Sequence, residues 1–544
     1  VIPSYNDLPL LTACLESIEE TCQEFEYEVI IVDDYVDPVN SAALLRLQQG
    51  RVRVILKERR QGFAGAVNVG MTMAKHDIVL LNSDIVAKGS WLDALQQRAY
   101  AGDGVGLVSP KLVYPDGRIQ YAGTYYARVL APQWFGHLHV GAPANKPAAN
   151  VPGFNRSISG ACVYITRQAF DVVGLLDEEY WLGFEDVDYG LRAWQRGVRC
   201  YYEPAAMLVH HESASRGYSQ GARELASMRF FWARWEHLFM QRWGTDPMKV
   251  DYLISDAAPA LWGRYVDEQC SALRALGRDV TVRHVPVGTI DESIVSELQA
   301  RDSVKIACDW GASTTAWLTA LEHGSLLYLL PGMETIRHGG QPDLQARIVS
   351  HYRPEFDYIA PNRWSADQLR LEAAWEVQHR VVPAMSQVAV SDGSGDVVCV
   401  GSDEAWCHAV DAVAREAGRE VTHIRTSEID VDVLEAVASA SASVVVSSVA
   451  EETSLGALQL LGSGAALVTV LNDRLRYEVL DGYNALTIGP GDMTGLRSSV
   501  EVVLSDDRAR SELCQNGRMT ADRHRLVNPA AMSRVLEHVA STPI

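Results

Sequence analysis

The stretch YEVIIVDD, Tyr27–Asp34, is an apolar, β-branched run closed by two carboxylates. A short run of this kind between polar segments predicts a strand buried on both faces, as in a parallel sheet. The flanking sequence repeats the rhythm. VIP opens the chain and a helical pattern follows near Leu8 to Thr21; after YEVIIVDD come a helix near Asn40 to Gln49, the run VRVILKE, a helix across GFAGAVNVGMTMAK, and DIVLLNSD, Asp77–Asp84. Strands alternating with helices predict a parallel α/β sheet. Ligands of such sheets sit beyond the carboxyl ends of the strands, so Asp33, Asp34, Asn82, Ser83 and Asp84 are expected to face one crevice.

At 544 residues the chain is too long for one core and implies several domains. Its 47% hydrophobic and 22% charged residues are those of a soluble globular protein. A formal charge of -21 argues against a nucleic-acid binder, which needs cationic surface to displace counterions. The nine cysteines are scattered, with no CxxC and no Cys/His spacing of a zinc site, which fits a reduced cytoplasmic compartment. No apolar run has the length of a membrane span, and no basic-then-apolar leader is visible. VIPSYN, without a Met, reads as the inside of a strand.

Between Tyr114 and Asn155 the pattern loosens into Pro, Gly and aromatic residues, which predicts a substrate-facing loop excursion. The helical stretch ARELASMRFFWARWEHLFMQRWG then leads to a boundary near Gly244 to Lys249. Beyond it the α/β rhythm restarts with DYLISD, RDVTVRHV, VKIACDW and SLLYLL. A loose segment near Pro383 to Gly395 precedes DVVCVGSD, VTHIR, SVVVSS, ALVTVL and ALTIGP. The expected domains are 1–245, 250–385 and 395–540, the last two forming a pair of Rossmann-like lobes.

One further stretch concentrates charge. GFEDVDYGLRAWQRG, Gly183–Gly197, predicts a helix with Val187, Leu191 and Trp194 on its apolar stripe, Gly197 as its stop, and Glu185, Asp186 and Asp188 in its first turn. Acids there oppose the macrodipole, each contributing up to about 1 kcal/mol, but one would suffice. Asp84, closing an apolar strand, is a hard oxygen ligand suited to magnesium or manganese; Asn-Ser-Asp is equally good turn chemistry.

PSYN with IIVDD, GFAGAVNVG, LLNSD, SGACVYITRQAF, LLDEEYWLGFEDVDYGLRAWQRG and LVHHESAS together resemble the family 2 glycosyltransferases of the GT-A fold. The rhamnosyl- and galactofuranosyl-transferring branch is the nearest, and the likeness spans nearly all of residues 1–243. It implies that Asp34 hydrogen-bonds the nucleotide base, with Pro3, Ser4 and Tyr5 bordering the pocket. Asn82, Ser83 and Asp84 stand where the family has its DXD motif, so a divalent cation (Mg or Mn) would depend on Asp84 and a further ligand, His210 or else His211. Asp186 matches the catalytic base, while Glu185 and Asp188 would orient the acceptor. Gly160 of SGACVY, with Tyr180 and Trp181, would form the acceptor wall, unless these aromatics are core residues. Arg60 replaces the family's Asn and, with Lys57 and Arg59, makes either a solvated patch or a phosphate contact. The aromatic helical run Arg223 to Trp243 would pack on the second module or lie on a membrane surface.

Residues 250 to 540 resemble, less closely, a family 4 glycosyltransferase of the GT-B fold, through KIACDWGAS, LLYLLPGMET, AEETSLGALQLLGSG and LRYEVLDGYNALTIGPGD. The implied donor residues are Glu451, Gln459 and Glu478. The family's paired glutamates become Glu451 and Gln459, and Ser402 stands where an Arg is expected, so this module is either a second, retaining transferase or a non-catalytic lobe pair.

The two likenesses imply an α/β chain that moves sugar from a dTDP- or UDP-sugar donor, with inversion, to a growing bacterial surface polysaccharide. The acceptor would be a glycan, polyprenyl-linked or free, and the setting the cytoplasmic face of the membrane with peripheral association. The rival expectation is a glycan-binding scaffold derived from transferases.

Overall fold

The computed structural model describes residues 1–35, 37–126, 135–211, 221–240, 246–320, 325–449, 453–472 and 474–541. β1 (Ile2–Ser4), β2 (Val29–Asp33) and β3 (Val52–Leu56) form a parallel sheet in that order, Ile2 opposite Ile31 and Val29 opposite Val52. Every residue of β2 is buried, as a strand covered on both faces requires. The connecting helices are α1 (Leu8–Thr21), α2 (Pro38–Leu45) and α3 (Gly62–Met73). α2 starts before the expected Asn40 because Asp37 caps it, accepting from the N–H groups of Val39 and Asn40, with Pro38 preset at the first position.

β4 (Ile78–Leu81) lies beside β1, joined by the Val1 amino group to the Val79 carbonyl at 2.8 Å and by Leu81 N–H to the Val1 carbonyl at 3.0 Å. After β5 (Ile85–Ala87), α4 (Trp91–Ala99) and β6 (Val105–Val113) the sheet becomes mixed. The excursion after Tyr114 is more regular than its composition predicts: it holds β7 (Ile119–Tyr121), the antiparallel pair β8 (Thr124–Tyr126) and β9 (Phe135–His137), and β10 (Gly153–Asn155). β11 (Cys162–Ile165), α5 (Arg167–Val173), α6 (Glu185–Gln195), β12 (Arg199–His210) and α7 (Ala222–Met240) follow. The sheet order is β10-β12-β6-β11-β4, with β5 on β12 and β7 on β6. Two registers position the site. Cys162 lies opposite Leu81, which sets Gly160 and Ala161 across from Asn82, and His210 lies opposite Ile85, which sets it beside Asp84.

α7 corrects one expectation. Phe231 and Trp235 are buried against Tyr180 and Leu191, so the helix packs into the core of its own unit. Phe230 and Trp232 are partly buried there too.

The chain divides into two units, Val1–Phe239 and Met240–Ile544. In the second, Asp279–Val285, Asp246–Ser255, Ser303–Ala307, Leu326–Leu329, Asp357–Ala360 and Val377–Arg380 pair in that order as a parallel sheet. Val421–Ile424, Val397–Val400, Val444–Ser447, Ala466–Val470 and Leu486–Ile488 form another. The strands at 357–360 and 377–380 are additions to the expected set; DYIA and VQHR are too short and too polar to signal themselves. The helix Asp507–Ser541 returns to the first lobe, where the Asn528 amide accepts from Gln269 Nε2 and donates to Tyr265 Oη, both at 3.2 Å. One hydrophobic core runs through both lobes, from Val250 and Ile306 to Val445, Leu467 and Leu536. The fold class is therefore the expected one, a mixed-sheet α/β unit followed by two Rossmann-like parallel lobes.

No helix among the described residues is long and apolar enough to cross a membrane.

Candidate functional site

Asp34 directly follows β2, with its carboxylate turned to the start of α3. It accepts from the N–H groups of Gln61 and Gly62, both at 2.9 Å, and from Lys57 Nζ at 2.8 Å. A carboxylate has about four lone-pair sites, so these donors leave room for one more N–H. Gly62 is needed here: its φ is +80°, and a Cβ would meet the Trp181 carbonyl at 2.5 Å. Lys57 is not the solvated residue expected, since its side chain is buried against Asp34. Arg60 is exposed, lying over the Tyr5 ring at 4.1 Å and 5.8 Å from the Trp181 ring. Tyr5, Arg60 and Trp181 thus make a planar, cationic mouth beside Asp34, suited to a base or a phosphate. Pro3 lies in β1, in register with Val32. Asp33 departs from expectation: its carboxylate accepts from Asn40 Nδ2 and Ser41 Oγ and fastens α2 instead of facing the crevice.

The turn after β4 carries the second group. Asp7, in the N-cap position of α1, makes no side-chain cap and turns its carboxylate to the hydroxyls of Ser4 and Ser83. Burial pushes the Asp7 carboxyl up, the two serine hydroxyls oppose this, and the charge of Asp84 adds to the rise. Asp84 Oδ1 is 3.1 Å from His210 Nε2, and His210 Nδ1 is 2.7 Å from Gln120 Oε1. His210 is thereby held between two acceptors, the Gln120 amide oxygen on Nδ1 and the Asp84 carboxylate on Nε2. The arrangement is that of a metal-ligating histidine held by a partner on its other nitrogen. Asn82 Oδ1 is buried and has no hydrogen-bond partner among the described residues. A carboxylate, an imidazole and an unsatisfied amide oxygen fit a divalent cation of the magnesium or manganese class. His211, the alternative ligand, donates its backbone N–H to the Asp84 carbonyl at 3.0 Å. The rest of LVHHESAS, from Glu212, lies outside the described residues.

Asp186 sits in the first turn of α6, after two residues with positive φ, Gly183 at +82° and Phe184 at +71°. A left-handed Phe is costly, and at a site such strain sets a direction. Asp186 Oδ2 accepts from Gly160 N–H at 2.7 Å and Oδ1 from Val187 N–H at 2.8 Å. Burial pushes its carboxyl up, while those N–H groups and the nearby His137 oppose the rise. Gly160 is thus a positioning residue: a Cβ there would stand 3.3 Å from Asp186 Oδ2. The next residue, Ala161, takes the N–H of Asn82 at 2.9 Å, so the base candidate and the Asn82–Asp84 turn hang on adjacent residues.

The neighbouring acids differ. Glu185 is buried, and Asp188 is fully buried, accepting from Arg192 Nε at 2.7 Å, Trp235 Nε1 at 2.9 Å and Tyr180 Oη at 3.3 Å. Asp188 therefore clamps α6 to α7 and is closed to an acceptor. Tyr180 is a core residue for the same reason. Trp181 remains at the mouth, where Arg223 also lies over its ring at 4.1 Å.

In the second unit Glu451 lies outside the described residues. The Gln459 amide is taken by the backbone of the interlobe segment, accepting from Val388 N–H at 2.9 Å and donating to the Ser386 carbonyl at 3.2 Å, so it holds a linker instead of facing a donor. Burial pushes Glu478 up to about 7; one oxygen accepts from Ser454 Oγ at 3.2 Å and the other has no partner among the described residues. The cleft between the lobes is crossed by Arg337 with Glu428 at 3.3 Å and by Asn362 with Ser454 at 3.0 Å.

Asp7, Gln120 and His137 escaped sequence reading. Asp7 looks like a plain N-cap before Leu8, while Gln120 and His137 lie in the excursion whose pairing only the fold reveals.

Known proteins are similar to parts of this chain. O-antigen biosynthesis protein RfbC of Myxococcus xanthus is 30% identical over 223 residues, covering 40% of this chain and 17% of that protein. N-acetylglucosaminyl-diphospho-decaprenol L-rhamnosyltransferase of Mycobacterium tuberculosis is 27% identical, covering 40% of this chain and 76% of that protein. The chain spans only 26% and 17% of the length of the first two curated relatives it matches. Among solved structures, sucrose-phosphate synthase from Thermosynechococcus elongatus is similar at 15% identity and a TM-score of 0.41, over 54% of this chain and 99% of that one. Residues 1–145 match the model of glycosyl transferase family 2, and the amino-terminal unit accordingly carries a domain of that family.

Proposed function

We propose that the first unit is a metal-dependent, inverting glycosyltransferase that moves a sugar from a nucleotide-sugar donor to a hydroxyl of a bacterial surface polysaccharide. The observation that carries this reading is the adjacency of Gly160 and Ala161, one bonded to Asp186 and the other to Asn82, which sets a carboxylate of raised pKa beside a cation-type donor set. Asp34, with Tyr5 and Arg60, binds the base and flanking phosphate. A divalent cation held by Asp84 and His210, with Asn82 as a further oxygen, would neutralise charge developing on the diphosphate leaving group. Asp186 takes the proton of the attacking hydroxyl, and its raised pKa strengthens it as a base. The donor is a dTDP- or UDP-sugar. The acceptor is a polyprenyl-linked glycan at the cytoplasmic face of the membrane, a choice supported by the decaprenol-linked substrate in the name of the mycobacterial relative.

The second unit is read as a non-catalytic lobe pair. Gln459 is engaged by the linker, Ser402 supplies no cation, and direct contacts cross the cleft.

The test is a panel of nucleotide sugars assayed on the full chain with manganese, magnesium or chelator. Turnover that requires metal and vanishes in Asp186→Asn is expected. Undiminished transfer by Asp186→Asn would refute the base assignment, and residual transfer with retained anomeric configuration would make the second unit catalytic.

A further inference from the structure

In the second unit the fold gathers sulfur, imidazole and carboxylate into one place. Cys399, on the strand Val397–Val400, is the direct register partner of His423 on the parallel strand Val421–Ile424. Paired residues of neighbouring strands project to the same face of the sheet. The helix Glu404–Glu416 supplies Cys407 and Asp411, four residues apart and hence on one helical face. The two Sγ atoms are 3.7 Å apart, His423 Nε2 is 2.8 Å from Asp411 Oδ1, and one ligand atom each from Cys399, Cys407 and His423 falls within 4.8 Å of the others. Both cysteines are buried, whereas the His423 side chain keeps 33% exposure.

We propose that Cys399, Cys407 and His423 form a binding site for zinc or a similarly soft divalent cation, with Asp411 orienting the imidazole. Tetrahedral zinc with bonds of about 2.3 Å to sulfur places two thiolates about 3.8 Å apart, the separation already present. A disulfide needs about 2.05 Å. Asp411 engages Nε2 and so leaves Nδ1 as the ligand nitrogen, the carboxylate–histidine–metal arrangement that fixes a tautomer. Solvent at the open side supplies the fourth ligand. Core packing alone explains two buried thiols, but it has no use for an imidazole and a carboxylate at the same spot. On binding, each thiol loses its proton as a metal–sulfur bond forms, so occupancy rises with pH.

The test is the metal content of the full-length purified chain, followed by cobalt replacement and optical spectroscopy. Stoichiometric zinc and a thiolate-to-cobalt charge-transfer band are expected, both lost in Cys399→Ser and in His423→Ala, the latter at the exposed edge where folding is least at risk. Asp411→Asn should keep the band with metal affinity roughly 10–100-fold weaker. Asp84→Asn should leave it unchanged, because the first-unit donor set contains no thiol. Absence of the band in wild type, its survival in Cys399→Ser, or an intact mass showing the two thiols joined as a disulfide would each overturn the proposal.

Discussion

Replacing Asp188 would leave the Arg192 guanidinium buried without its counter-charge. Arg192 is 7% exposed, and its remaining donors go to the carbonyls of Val173 at 3.2 Å and Leu175 at 2.9 Å, so it cannot swing out to water without breaking them. Removing one partner of a buried pair costs about 3–5 kcal/mol. Asparagine keeps one carbonyl for Arg192 or Trp235 but not both, which puts Asp188→Asn near about 3 and Asp188→Ala near about 5 kcal/mol. In a unit the size of Val1–Phe239, each kcal/mol lowers the melting temperature by roughly 2–4 °C, so decreases of roughly 6–20 °C are expected across the two variants. Thermal unfolding followed by near-UV circular dichroism reads this directly, because Trp235 donates to the lost carboxylate. Transfer assayed well below the transition should keep its acceptor KM. An unchanged melting temperature with a raised acceptor KM would show that Asp188 faces the acceptor and that the clamp is misread.

The acid two positions earlier should behave in the opposite way: Asp186→Asn is expected to lower kcat roughly 10²–10⁴-fold with little change in melting temperature. Its pKa is raised above the ordinary 3.8, so wild-type transfer should fall as pH drops through that raised value, while the stability contribution has the reverse sign, present below 3.8 and lost as pH rises through the raised value; pH–rate and pH–melting profiles check both. Gln120→Leu releases the His210 ring and should weaken manganese binding roughly 10–100-fold in a titration, with KM for the donor following. Glu478 titrates near about 7 when folded against 4.5 ordinarily, so the stability it contributes is full below 4.5 and gone above 7, a difference of about 3 kcal/mol. Glu478→Gln should therefore raise the denaturation midpoint at pH 8 and leave it nearly unchanged at pH 4.5, as read by urea unfolding.

Local pattern carried far in this chain. The apolar run Val29–Val32 has nowhere to go but a covered strand, and Gly197 stops α6 as its φ of +76° requires. Asp84 could be singled out because it follows the apolar run of β4, and strand ends converge by topology, whereas His210 was legible only through the family resemblance of LVHHESAS. Asp188 could not be separated from Asp186, since side chains two apart in one helical turn point about 200° apart and only the packing of α7 tells which direction is inward. Tyr180 and Trp181 are another such pair, adjacent in sequence yet one in the core and one at the mouth. Short strands such as Val377–Arg380 exist because a neighbour pairs with them, not because of their composition.

What the sequence determined by itself was the alternation of strand and helix, the strand-end acids and the helix carrying Asp186, since each depends on periodicity and residue chemistry within about one turn or strand. Only the tertiary structure decided which carboxylates are free to react and which are clamps, and only it brought together Gln120 with His210 and Cys399 with His423. Those partnerships join residues far apart in the chain through sheet register and helix packing, and a spacing motif can report a pairing only when the chain between its members has a fixed local path.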